Sequence, residues 1–249
     1  MKKIIILCFI IMNLYSNDIY KLNLVNMSMD YKEYDFNNNL LDSEKSNTLI
    51  GLESIYKKKY EDETFFKINS LFILGSTDYK GSYLGVVNSN YGDVESKTLN
   101  YILDESIDYG VDFHKSQNLY FNVSLGFGAH LWLRQLSDTQ NEYYYWLYFK
   151  PTAGIKYKIN NNLKIGLNII IPLNFHTKMY ADNIDTNFDL GKVKTYAFSI
   201  PIEIKSKDNI FDIEFKYERE DIEASNIIDG YYEPSSTNDK FYIKFNLLF

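Results

Sequence analysis

The sequence predicts an all-β chain: a transmembrane, antiparallel, up-and-down β-barrel of about ten strands, with about 8–12 as the bounds. Three observations carry this expectation. Apolar and polar residues alternate with a period of two over stretches longer than the roughly 5–6 residues of an ordinary soluble strand. The connections between these stretches are short and long in turn, as a barrel with tight turns on one side and loops on the other requires. No internal apolar run reaches the roughly 18 residues of a membrane helix; the best, Ile165 to Leu173, is interrupted by Gly166, Asn168 and Pro172. A membrane protein of this sequence therefore crosses with strands.

The chain has 249 residues and opens Met1-Lys2-Lys3, followed by an apolar run to Leu14 and the small residue Ser16. A basic tip before a short apolar run reads as a secretory signal peptide over 1–16, which leaves a single barrel domain over 17–249. Cys8 is the only cysteine and lies in that signal, preceded by Leu7, so neither a lipoprotein anchor nor a disulfide is expected. Loss of Lys2 and Lys3 takes the net charge from −7 to −9, and an acidic exported chain is a poor nucleic-acid binder. Aromatics make up 17% of residues, 23 of them Tyr, which suits strands and interfacial girdles.

Taken in chain order, the strands begin with Val25, Met27, Met29, Tyr31, then Ile50, Leu52, Tyr56, Tyr60, then Phe66, Ile68, Phe72, Leu74. Leu99 to Phe113 continues the pattern. Leu119 to Arg134 is its cleanest instance, with Leu119, Phe121, Val123, Leu125, Phe127, Ala129, Leu131 and Leu133 on one face. Tyr145 to Tyr157, Leu163 to Phe175, Tyr196 to Ile204 and Phe211 to Tyr217 follow, and the tail closes the set. Short polar links fall at Glu61–Thr64, Lys115–Asn118, Asn160–Asn162 and Ser206–Asn209. Long ones fall near 34–47, 78–98, 135–143, 177–192 and 223–239. Pro151, Pro172 and Pro201 sit inside strands and predict bulges or strand ends there, because proline cannot donate to the ladder.

The tail places Phe241, Ile243, Phe245, Leu247 and Phe249 on one face and Tyr242, Lys244 and Asn246 on the other. It resembles the closing strand of bacterial outer-membrane β-barrels, in which a C-terminal aromatic after alternating apolar residues is read by the barrel-assembly machinery. The resemblance implies an outer-membrane location, these five residues as the assembly signal, and the assembly machinery and outer-membrane lipid as partners. An even strand number puts both termini, and the short turns, on the periplasmic side.

A barrel of this size has a lumen nearly filled by side chains. The lumen-side residues include Asp104, Asp108 and Asp112, then Lys150, Lys156 and Lys158, then Asp212, Glu214, Lys216 and Glu218. Turning the chain about Lys115–Asn118 sets Asp104 opposite His130, and the next hairpin brings Tyr148 alongside. An Asp–His–Tyr cluster is the weak catalytic candidate; a satisfied polar network is its plain alternative. Asp112 and His114 look like the Asp-x-His element of omptins, ten-stranded outer-membrane proteases, but precede a short turn and so lie at the periplasmic end. His176 is placed beside Trp146. A hairpin centred near residue 231 sets Glu218 against Lys244. No phosphate loop, metal-spaced set or nucleophile elbow is present, and no cofactor is expected.

The expected role is structural or surface-interacting, through long extracellular loops rich in Tyr, Asn and Ser, such as 223–239, that suit an extracellular ligand. The alternatives are an outer-membrane hydrolase acting on surface lipid or peptide and a narrow channel.

Overall fold

The computed structural model describes residues 18–82, 90–206 and 209–246. The segment expected to be a signal peptide, Leu247 and Phe249 lie outside the described residues, so the tail pattern is seen only as far as Asn246. Twelve strands form one antiparallel sheet: β1 (Asp18–Tyr34), β2 (Leu40–Lys59), β3 (Thr64–Gly81), β4 (Val94–Ser116), β5 (Leu119–Ser137), β6 (Gln140–Asn160), β7 (Leu163–Ile170), β8 (Leu173–Ala181), β9 (Thr186–Asp189), β10 (Val193–Ser206), β11 (Asn209–Ile222) and β12 (Ser235–Asn246). β12 pairs with both β1 and β11, and β10 pairs with β11, so the sheet closes on itself. β7 and β8 are one wall strand broken at Pro172, and β9 and β10 are another broken at Leu190–Lys192. The ring therefore has ten passes. A closed ring leaves no edge whose amides would face hydrocarbon unpaired.

The four short links appear where the pattern puts them; residues 207 and 208 of the last lie outside the described set. At the opposite end the strands run further than expected. The link expected over 135–143 shrinks to a turn between Ser137 and Gln140, and that over 34–47 to residues between Tyr34 and Leu40. Most of 177–192 is strand, joined by a single 3-10 turn at Asp182–Ile184. Only 82–93 and 223–234 remain long connections. Many polar residues in these stretches lie on strands, with Glu44 and Glu142 turned into the lumen, and composition alone reads them as loop. We place this end outside the cell, on the rule that periplasmic turns are short.

Strand length is consistent with that projection. β4 has 23 residues, whereas a tilted membrane strand needs roughly 9–11. Lipid-facing apolar residues occupy the lower part of the wall, including Leu22, Leu24, Ile50, Leu52, Phe72, Leu103, Ile107, Leu125, Phe127, Ile169, Phe198 and Phe241, all more than a third exposed. Above them the outer skin is polar and carries ion pairs such as Lys80–Glu95 at 2.6 Å and Arg219–Asp239 at 3.3 Å.

β1 corrects one assignment. Val25, Met27, Met29 and Tyr31 point into the lumen and are almost wholly buried, while Leu22 and Leu24 of the other parity face lipid. Both faces of β1 carry apolar residues because the outer lumen is itself packed with Met, Leu, Ile and aromatic side chains. The lumen thus contains a packed apolar layer, rather than being polar throughout.

The closing hairpin corrects another. Glu218 lies opposite Lys240, and Lys244 opposite Glu214. The turn is set by Asp229 and Gly230, both with positive φ (51° and 88°), between the bridged residues Ile228 and Tyr231. Such a two-residue turn fixes its own centre, about two residues before the one assumed, and moves every partner with it.

A carboxyl interrupts the lipid-facing belt. Glu105 sits between the lipid-facing Leu103 and Ile107 and accepts a 2.5 Å hydrogen bond from Ser70 Oγ on β3. A carboxyl at this height costs stability that one hydrogen bond only partly offsets. Glu105→Leu is expected to raise the unfolding free energy in lipid by about 1 kcal/mol. Denaturant titration in vesicles checks it, and a loss of stability would contradict the placement of Glu105 in hydrocarbon.

Candidate functional site

Two lumen sites are built from these strands, one midway and one near the outer mouth. The middle site forms as the sequence pattern places it. Asp104 and His130 are directly opposed across β4 and β5, with His130 Nδ1 3.1 Å from Asp104 Oδ2. The Tyr148 hydroxyl donates to Asp104 Oδ1 at 2.7 Å. Tyr148 reaches Asp104 by crossing Gly128, its register partner on β5, where an added Cβ would stand 2.4 Å from the Tyr148 ring. Trp146 lies flat on the imidazole, ring centres 4.4 Å apart. These contacts leave His130 only 5% exposed, and among the described residues its Nε2 has no hydrogen-bond partner.

With Nδ1 donating to a carboxylate, Nε2 is an acceptor, the arrangement of an oriented general base. It borders a cavity of about 520 Å³ that runs from this level down to Lys59, His114 and Tyr120 at the short-turn end. The Asp104–His130 pair therefore faces the periplasmic half of the lumen and not the cell surface.

The other candidates do not assemble. Asp112 is held by Lys57 and Lys59 at 2.7 and 2.9 Å, whereas His114 contacts Glu63 and the Tyr120 ring at the rim. His176 is not beside Trp146. It sits exposed at a bulge opposite β6 with φ of 51°, its ring near Tyr145, because the left-handed backbone turns it out of the wall. Glu218 binds Lys216 at 2.6 Å and Lys240 at 3.4 Å, while Lys244 lies 2.8 Å from Glu53 and 3.3 Å from Glu214.

The outer site was not foreseen. Arg134 is fully buried and its guanidinium contacts Glu33 at 2.6 Å, Glu44 at 2.8 Å and Glu142 at 2.8 Å. It also donates to the Tyr144 hydroxyl at 3.0 Å and stands 4.3 Å from the Tyr31 ring centre. Trp132 and Tyr144 stack beside it, and Trp132 Nε1 donates to Asn100 at 2.7 Å. The connection after β11 completes the layer. Glu233, from that connection, is buried and accepts a hydrogen bond from Tyr144, and its backbone bonds Ser225 in both directions. The sequence signals are that Arg134 has the lumen parity of His130 and Trp132 and that Glu142 opposes it across the β5–β6 hairpin. Glu33 and Glu44 come from β1 and β2, which ring closure brings to it.

Two expected outcomes follow from this layer. Arg134→Met leaves Glu33, Glu44 and Glu142 without their cation, and loss of one partner of a buried pair costs about 3–5 kcal/mol, readable by unfolding in detergent. Glu233 responds to pH: burial first, then Glu33 and Glu142, push its carboxyl well above the usual range, against the smaller effects of Tyr144 and Arg134. A carboxyl raised in the folded state contributes stability that is complete below its unfolded value and is lost as pH rises through the folded value. Hydrogen exchange in 223–234 is expected to quicken as pH rises beyond its intrinsic dependence, and Glu233→Gln to flatten that excess. A Gln variant with the wild-type profile would contradict it.

No family model and no curated protein sequence matches the chain. Among solved structures, the outer-membrane protease OmpT from Escherichia coli superposes with a TM-score of 0.62 at 10% identity, covering 93% of this chain and 95% of that one. The β-domain of the Bordetella autotransporter BrkA gives 0.49 at 8% identity over 92% and 99%. The Pseudomonas putida toluene transporter TodX gives 0.38 at 9% identity over 95% and 91%. At these identities the likeness to OmpT carries the fold alone. Together with the closed ten-pass ring and its apolar belt, it makes this chain an outer-membrane β-barrel.

Proposed function

We propose that this barrel is a non-conducting outer-membrane protein with a structural or surface-interaction role, exercised through the parts of the wall and the two long connections that stand above the membrane. The observation that carries the reading is the seal around Arg134. Tyr31, Trp132, Arg134 and Tyr144 are all without solvent exposure, and they cross the lumen at the level where a pore would have to be open. A ring of ten strands is narrow enough for such a layer to fill it. The exposed crown supports the second half of the reading. Phe36, Tyr91, Ile227 and Tyr231 are each more than two fifths exposed at the outer end, above the belt where lipid would cover them. Exposed aromatic and apolar residues on an otherwise polar crown suit contact with another surface.

Hydrolysis is the second reading, favoured by one observation: the unpartnered Nε2 of His130 beside Asp104. Because that atom borders the inner cavity, such an enzyme would draw its substrate from the periplasm rather than from surface lipid or peptide.

In planar bilayers the refolded protein is expected to give no discrete conductance steps, and Trp132→Ala with Tyr144→Ala is expected to produce them. Well-resolved steps from the unaltered protein would overturn the sealed reading in favour of a channel. Turnover of peptide or ester substrates that is lost in a folded His130→Asn variant would overturn it in favour of the enzyme.

A further inference from the structure

The ion pairs of the inner lumen are not balanced. Asp112 is shared by Lys57 and Lys59, at 2.7 and 2.9 Å. Asp108 is shared by Lys67 and Lys150, at 3.3 and 3.2 Å. Glu203 is shared by Lys156 and Lys164, at 3.4 and 2.5 Å. Three times, from different strands, two ammonium groups meet one carboxylate, and all six lysines line the same cavity. Elsewhere the ratio reverses: Lys244 is shared by Glu53 and Glu214 and Lys240 by Glu218 and Glu220, and these four carboxylates line the same cavity, whose lining residues include nine lysines and seven carboxylates. In the outer layer Arg134 is shared by Glu33, Glu44 and Glu142.

We propose that the inner chamber is a binding site for a small multivalent anion, of the phosphoryl or polycarboxylate class, taken up from the periplasm. Each lysine pair carries one positive charge more than its carboxylate cancels. Confinement by a low-dielectric wall strengthens the attraction of that surplus for an anion above its value in bulk water. Lysine ammonium groups are compact point charges suited to phosphate and carboxylate oxygens. Glu53, Glu214, Glu218 and Glu220 line the same cavity, so an anion is held at the three lysine pairs and away from these carboxylates. The chamber opens at the strand ends and the wall is paired all round, so the ligand is a soluble ion and not a lipid entering sideways. A volume of about 520 Å³ limits it to the size of a small metabolite. This site is independent of any role of the outer crown.

The test titrates inorganic pyrophosphate into the full barrel, refolded in uncharged detergent at low ionic strength, by calorimetry. Saturable binding that weakens with added salt is expected. The triple variant Lys57→Gln, Lys67→Gln, Lys164→Gln removes one lysine from each pair and leaves every carboxylate with a partner, so the fold is retained. Its affinity is expected to fall by about tenfold or more, because three charges are lost from a confined site. Should the triple variant not fold, Lys57→Gln and Lys164→Gln singly are expected to show a graded loss. Lys80→Gln, on the outer skin, is expected to bind as the unaltered protein does. Absence of saturable binding, equal affinity in the folded chamber variants, or an equal loss in Lys80→Gln would overturn the proposal.

Discussion

The closed state of this barrel depends on one guanidinium. Arg134 on β5 reaches Glu33 on β1, Glu44 on β2 and Glu142 on β6, and so ties walls on opposite sides of the ring through a single charged group. A cation withdrawn from water is tolerated only with such partners, and three carboxylates so close together are tolerated only with such a cation. The aromatic rings of Tyr31, Trp132 and Tyr144 exclude water around it, which strengthens each contact and raises the cost of losing one. Below this layer, packing can be loose; the cavity begins there.

From that seal follows the polarity of the lumen. Carboxylates outnumber the cation in the Arg134 layer, whereas nine lysines and seven carboxylates line the inner cavity. The chain is acidic overall, yet lysines exceed carboxylates among the residues that line this cavity. Net charge describes solubility and the outer field, and it says little about a cavity whose walls take every second residue.

Local pairing was legible in the sequence where a short polar link fixed it. The link Lys115–Asn118 contains the two-residue turn Gln117–Asn118, and Asp104 faces His130 as the alternation demands. The final hairpin was misjudged because its centre lies at Asp229–Gly230, inside a connection long enough to hide it. Alternation also cannot say which face of β1 is inside when both carry apolar residues: Met27 and Leu24 look alike until the lumen is known to be packed with Leu49, Ile73 and Trp132. Only part of the Arg134 cluster is local: Glu142 and Tyr144 oppose Arg134 and Trp132 across the β5–β6 hairpin. Glu33 and Glu44 are about a hundred residues away and meet Arg134 only across the closed ring, so no spacing in the chain records them.

The central claim is that the lumen is closed to the outside and open to the periplasm. Cys8 is the one cysteine of the sequence, so with Cys8→Ser in place a single thiol can be introduced at Ser124, which lines the inner chamber. A small charged thiol reagent is applied to oriented lipid vesicles, first from the long-connection face and then from the short-turn face. Modification of Ser124→Cys only from the short-turn face is the predicted result; comparable modification from the outer face would contradict the sealed lumen.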